Sequence, residues 1–183
     1  MAKYLKNVNG NTYSVLEPNF LAARKTGQVR AQLPLDATNF ATIPAENGMF
    51  LVYDSGAGSV KLPTNANTKG TMLHFSVEKE YDRLRPGLNT FAIWRGEMPY
   101  PRLYQPHLGD TFTTDAVKLH ATTATIELFN ALTVGNKYGI GADGFVDATT
   151  DGAAAEGVIV ELIAKTTLPD GGSACKFKVV QVA

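Results

Sequence analysis

Alternation with a period of two is the clearest pattern in this chain. Leu73, Phe75 and Val77 alternate with Met72, His74 and Ser76, and Cys175, Phe177 and Val179 alternate with Lys176 and Lys178. Successive side chains of a strand face opposite sides of a sheet, so this patterning predicts half-buried β-strands. Apolar runs at Met49–Tyr53, Phe91–Trp94, Thr122–Leu128 and Val158–Ala164 predict further strands. Between them stand residues that favour turns: Asp54-Ser55-Gly56, Arg85-Pro86-Gly87-Leu88-Asn89 and Leu168-Pro169-Asp170-Gly171-Gly172. One short helix is expected over Glu17–Lys25, with Pro18 in its first turn and Gly27 as its stop. The fold class that follows is all-β: two small β-sandwich or barrel modules rich in glycine turns, with little helix.

The order of these patterns repeats. Met49–Tyr53 leads through a glycine turn to Val60-Lys61-Leu62, then through small polar residues and Gly70 to Thr71–Val77. Lys137–Ile140 leads through Gly141-Ala142-Asp143-Gly144 to Val146, then through small residues and Gly157 to Val158–Ala164. Each copy reads strand, glycine turn, short strand, small-residue loop, glycine, apolar strand, as an internal duplication would. The two copies suggest a scaffold that works by its surface.

Residues 49–98 therefore form a first module and 113–183 a second. Residues 99–112, with Pro99, Pro101 and Pro106, read as a Pro-rich linker between them. Residues 1–48 show little periodicity but hold Leu33, Leu35, Phe40 and Ile43, and predict an extended arm docked on its own body or on a neighbour. The arm is basic: Lys3, Lys6, Arg24, Lys25 and Arg30 stand against Glu17 alone in the first thirty residues. Lys3, Lys6, Phe20, Arg24, Lys25 and Arg30 are its candidate partner-binding residues.

The formal net charge is zero, so bulk charge argues for neither nucleic acid nor a membrane surface. No run approaches the ~20 apolar residues that span a bilayer. The start of the chain lacks the apolar core of a signal peptide. The lone Cys175 excludes an intrachain disulfide and a Cys-rich metal cluster, and its alternation with Phe177 and Val179 predicts a buried, inert thiol. Assembly in a reducing cytoplasm fits these features.

Candidate chemistry is sparse. Asp54-Ser55-Gly56 after an apolar strand resembles the Asp-Ser/Thr-Gly triplet of aspartic proteases, whose mechanism needs two facing aspartates. A homodimer would have to supply the second Asp54, and a strand-joining turn uses the same residues for backbone reasons. Asp143, Asp147 and Asp151 recur among glycines, as carboxylates of a Ca²⁺ loop can, though outside EF-hand spacing. His74, His107 and His120 have no zinc-ligand spacing. Gly56-Ala57-Gly58-Ser59-Val60-Lys61 departs from the phosphate-loop pattern. No catalytic set, metal or cofactor is expected.

Two stretches resemble head decoration (cement) and minor capsid proteins of tailed bacteriophages. One is Arg102-Leu103-Tyr104-Gln105-Pro106-His107-Leu108-Gly109-Asp110-Thr111-Phe112-Thr113-Thr114. The other runs from Gly139 to Val180 and includes the Gly-x-Asp-Gly turn, Lys165–Gly171 and Lys176–Val180. The resemblance implies a structural virion protein on the outer capsid surface that ties major capsid protein subunits together. It also implies a small symmetric homo-oligomer, for instance a trimer, with neither nucleic acid nor membrane as partner. The alternative is a tail- or fibre-associated module that adheres to host glycan. Trp94, Tyr100 and Tyr104 are its candidate contacts, although the apolar strand around Trp94 predicts core packing for that residue.

Overall fold

A computed structural model describes residues 3–17, 21–22, 29–76, 91–97 and 100–183, with the backbone alone at 29–31. Among these residues the chain is mostly β. The first sheet comprises β1 (Val29–Gln32), β3 (Phe50–Asp54), β4 (Ser59–Lys61), β5 (Thr71–His74) and β7 (Arg102–Tyr104), in the order β1-β7-β5-β3-β4. The second comprises β8 (Thr111–Thr114), β9 (Val117–Lys118), β10 (Lys137–Ile140), β11 (Val146–Asp147), β12 (Ile159–Thr167) and β13 (Ser173–Gln181). Its order is β8-β13-β12-β10-β11-β9. β2 (Ala45–Glu46) and β6 (Ala92–Ile93) form a two-stranded ribbon. Neighbours pair antiparallel except β9 and β11, which run parallel. Both large sheets are open, so of the expected sandwich or barrel modules no closed barrel is formed.

The internal echo is a repeated topology. β3 pairs with β4 on one side and β5 on the other, and β10 pairs with β11 and β12 in the same way. The two equivalent loops lie against each other: the Gly157 N–H donates to the Ala66 carbonyl at 3.2 Å and the Glu156 N–H to Asn67 Oδ1 at 3.0 Å. A Cβ on Gly157 would stand 2.5 Å from that Ala66 oxygen, so the close approach needs glycine.

The two sheets share one core. Phe50, Leu73 and Phe75 from the first pack with Phe112, Tyr138, Leu162, Phe177 and Val179 from the second. Phe112 is the hinge of this packing, with ring centroids 5.7 Å from Phe50 and 5.6 Å from Phe177. The expected linker 99–112 contributes β7 to one sheet and the start of β8 to the other. Between them the His107 N–H donates to Asp110 Oδ2 at 2.9 Å, and the Gly109 N–H to the Val179 carbonyl at 2.9 Å. This turn carries the chain from the first sheet onto the long β12–β13 hairpin.

Residues 3–17 pack into this core. Leu5 and Leu16 are fully buried in it, Leu5 from a short helix α1 (Leu5–Val8). Tyr4 bridges to Lys118 and Leu16 to Thr114, so the segment crosses the second sheet from β9 to β8. Leu35 bridges to Val60 at the edge of the first sheet. The helix expected over Glu17–Lys25 and the turn at Arg85–Asn89 lie outside the described residues, save Glu17, Leu21 and Ala22.

Two local expectations are corrected. Thr122–Leu128 is not a strand, because α2 (Ile126–Ala131) begins there. The Glu127 carboxylate accepts from its own N–H and from the Thr125 hydroxyl, which holds its pKa below the ordinary glutamate range and favours a helix start over continued extension. Trp94 is not core: the strand ends at Ile93, and Trp94 is 38% exposed.

Leu16→Ala is expected to lower stability by about 2–5 kcal/mol, the range for truncating a fully buried leucine. Urea denaturation followed by circular dichroism reads this directly. A loss below about 0.5 kcal/mol, typical of surface substitutions, would mark residues 3–17 as a dispensable arm.

Candidate functional site

Buried ionisable groups collect where residues 3–17 meet the body. Lys6 Nζ contacts both carboxylate oxygens of Glu46, and both side chains are buried. Glu46 Oε2 also accepts from the Ser14 N–H at 2.7 Å, while the Ser14 hydroxyl donates to the Asn47 carbonyl at 2.7 Å. Lys6 lies 5.2 Å from the centre of the Phe145 ring, on which Tyr4 stacks at 4.3 Å. The cation is thus neutralised by Glu46 and faced by aromatic rings. Asp115, fully buried on the turn after β8, accepts from the Val15 N–H, from Asn11 Nδ2 at 2.9 Å and, weakly, from Asn9 Nδ2 at 3.4 Å.

His74 closes the cluster. Its Nδ1 lies 2.8 Å from the Glu46 carbonyl, which can only accept, so Nδ1 carries the proton. Nε2 then accepts from the Ser76 hydroxyl at 3.1 Å, and Ser76 Oγ in turn accepts from the Arg102 N–H at 3.0 Å. A Ser–His contact can serve nucleophilic catalysis, but here both residues are buried, and Nδ1 faces a carbonyl rather than an orienting carboxylate. The arrangement fastens backbone segments together and gives a substrate no access.

A second cluster lies beside it. Lys118 Nζ is 3.3 Å from Asp147 and 3.8 Å from Asp143, and Tyr4 donates to Asp143 Oδ2 at 3.0 Å. Burial, reinforced by Asp143, pushes the Tyr4 hydroxyl well above the ordinary tyrosine range. Two of the three expected Ca²⁺-loop aspartates therefore converge on a lysine, and Asp151 stands apart from them. Among the described residues no group of three or more His, Cys, Asp or Glu side chains is placed to hold a metal ion.

A cleft of about 630 Å³ is bounded by α2, the start of β10 and the loop after β11. Leu119, Leu128, Leu132 and Tyr138 make its floor, while His120, Asn136, Lys137, Thr149, Thr150 and Asp151 stand at its rim. The far wall is fixed by Gly152, whose N–H donates to the Lys137 carbonyl at 2.9 Å. A Cβ there would stand 2.0 Å from the Gly139 nitrogen, so no side chain fits.

The residues singled out from sequence fall in different places. Lys3 is exposed, and its carbonyl accepts from the Leu119 N–H at 2.9 Å. Lys6, expected on a docking surface, is buried in its pair with Glu46. Arg30 lies on β1, the edge strand of the first sheet; Phe20, Arg24 and Lys25 lie outside the described residues. Asp54 Oδ1 accepts from the Gly56 and Ala57 N–H groups at 3.0 Å, and its other oxygen meets Lys61 Nζ at 2.8 Å. Those bonds, chiefly the one from Lys61, hold its pKa below the usual aspartate range and serve the β3–β4 turn. Cys175 is fully buried, and burial pushes its thiol up to about 12, so thiolate chemistry is suppressed.

Sequence reasoning missed Glu46, Asp115 and the cleft. Each depends on segments brought together from far apart, such as Lys6 with Glu46, and no local spacing announces that. Among the described residues no helix is long and apolar enough to cross a membrane. Comparison with protein-family models, with curated proteins and with solved structures finds no match.

Two buried groups give opposite pH dependences. Desolvation lowers His74 to about 4 from its ordinary 6.5, so its contribution is full above pH 6.5 and is lost as pH falls through about 4. Desolvation raises Asp115 to about 6 from 3.8, so its contribution is full below pH 3.8 and is lost as pH rises through about 6. Each is on the order of 3 kcal/mol, and between pH 7 and 4 they offset. Asp115→Asn removes one side of the balance. Its melting temperature is expected to fall more steeply from pH 7 to 4 than that of the unaltered protein, each scaled to its own pH 7 value. Parallel profiles would contradict this assignment.

Proposed function

We propose that this is a structural virion protein, a bacteriophage capsid decoration protein that binds the outer shell and ties major capsid protein subunits together. One observation carries the reading. The two stretches that resemble decoration and minor capsid proteins are separated in sequence but adjacent in the fold: β8 pairs with β13 from Thr111↔Lys178 to Thr114↔Cys175. Together with β10, β11 and β12 they make a continuous sheet, so most of the resemblance falls on that sheet, while Arg102–Tyr104 of the first stretch forms β7 of the other.

The rest of the architecture suits the role. Among the described residues β1 is the last strand of the first sheet, and an edge strand can extend a neighbour's sheet. Many modest contacts repeated over a symmetric shell produce avidity without a large single interface. A homo-oligomer matching local capsid symmetry, a trimer for instance, fits the same logic. The reading includes neither enzymatic activity nor a cofactor.

A second reading, adhesion to host glycan from a tail or fibre, is favoured by the exposure of Trp94 (38%) and Tyr100 (39%). Tyr104, the third candidate, is half-buried against Phe75.

Co-sedimentation with phage heads lacking the protein separates the two. Decoration predicts saturable binding and a higher head melting temperature, since a ligand at about 100 times its Kd stabilises the form it binds by about 2.7 kcal/mol. Failure to bind mature or expanded heads would reject decoration and leave adhesion.

A further inference from the structure

The cleft between α2 and β10 differs from the buried clusters in presenting polar groups to solvent. We propose that it binds a short, uncharged saccharide. This goes beyond the decoration reading and does not rest on it.

The volume of about 630 Å³ lies within the range of small-molecule sites, about 300–1,000 Å³. The floor of leucines and Tyr138 offers apolar surface on which the C–H groups of a sugar ring can pack. The rim offers donors and acceptors together. His120 Nδ1 accepts from the Thr122 and Thr123 N–H groups at 3.1 and 3.2 Å, so the proton sits on Nε2, which remains as a donor. Asp151 Oδ1 accepts from the Ala153 N–H at 3.0 Å, leaving its second oxygen as an acceptor. Thr150 adds a hydroxyl, which can do both.

Charge selects among ligands. Lys137 and Asp151 carry opposite charges, so the rim has no net formal charge to favour an ion of either sign. A purely apolar ligand would strip water from the rim groups without replacing their hydrogen bonds, at a cost for each. A hydroxyl-rich neutral ligand avoids both penalties.

The walls are also set in advance. Besides Gly152, the Thr149 N–H donates to Asp147 Oδ1 at 3.0 Å, and Lys165 Nζ donates to the Asn130 carbonyl at 2.7 Å, fixing the end of α2. A site that is ordered before binding loses less entropy when it is filled.

The test is a titration of the full ¹⁵N-labelled chain with maltotriose, chitotriose, cellotriose and lactose, with 6′-sialyllactose as the anionic comparison. The expected result is saturable amide shifts around Tyr138, Thr150 and Asp151 with at least one neutral sugar, at a Kd of about 1 mM or tighter. Thr150→Ala and Asp151→Asn change exposed side chains and keep the fold, and each is expected to weaken binding about tenfold. Gly152→Val is expected to abolish it by displacing the wall. The proposal is overturned by no saturable shift with any neutral sugar, by shifts mapping elsewhere, by binding indifferent to the Thr150 and Asp151 changes, or by preference for the sialylated sugar.

Discussion

The buried pair of Lys6 and Glu46 is the constraint on which the rest of the fold depends. An ammonium and a carboxylate withdrawn from water cost several kcal/mol each, and only close contact and further hydrogen bonds offset that. Glu46 supplies both by meeting Lys6 and the Ser14 N–H together. Asp115 does the same for the Val15 N–H and the Asn11 amide. Removing either member of the pair would strand a charge in the interior, a loss of about 3–5 kcal/mol in comparable cases. These bonds tie residues 3–17 to β2 and to the turn after β8. With that segment in place, Leu5 and Leu16 complete the core in which Phe112 joins the two sheets.

Local periodicity made much of the β architecture legible. Cys175, Phe177 and Val179 do share the buried face of β13, and the turn at Leu168–Gly172 does close the long hairpin, with Gly171 at φ +87°. The glycine echo read as one small unit used twice is matched by the strand pairings around β3 and β10. What failed to show was whatever depends on partners remote in sequence. Residues 3–17 show little periodicity and carry Asn7, Asn9 and Asn11 around a glycine, so they read as an arm. Yet Asn9 and Asn11 are there to hold Asp115 and the β12–β13 hairpin end, where Asn9 bonds Ser173 in both directions. The prolines of 99–112 read as a linker because two three- to four-residue strands belonging to different sheets leave no periodicity of their own.

The same division governs the functional residues. Asp54 and the aspartates of 143–151 attract attention as sequence, but turns and a lysine account for most of them. Lys6 looks like surface charge and is interior. The cleft beside α2 draws on four separate segments, and nothing in any one of them marks it. Rigidity links these observations: a body whose terminal segment is locked by buried charge presents its edges and its cleft in fixed geometry. Such a body suits a protein that works by contact.

Native-state hydrogen exchange tests most directly whether the clasp makes the N-terminal segment and both sheets one cooperative unit. The amides of Lys6, Asn11, Val15 and Glu17 are to be compared with those of Leu162 and Val179 in the hairpin. The account predicts that all exchange only through global unfolding, with one common free energy and one denaturant dependence. Exchange of the N-terminal amides through a local opening, orders of magnitude faster than the hairpin, would contradict it.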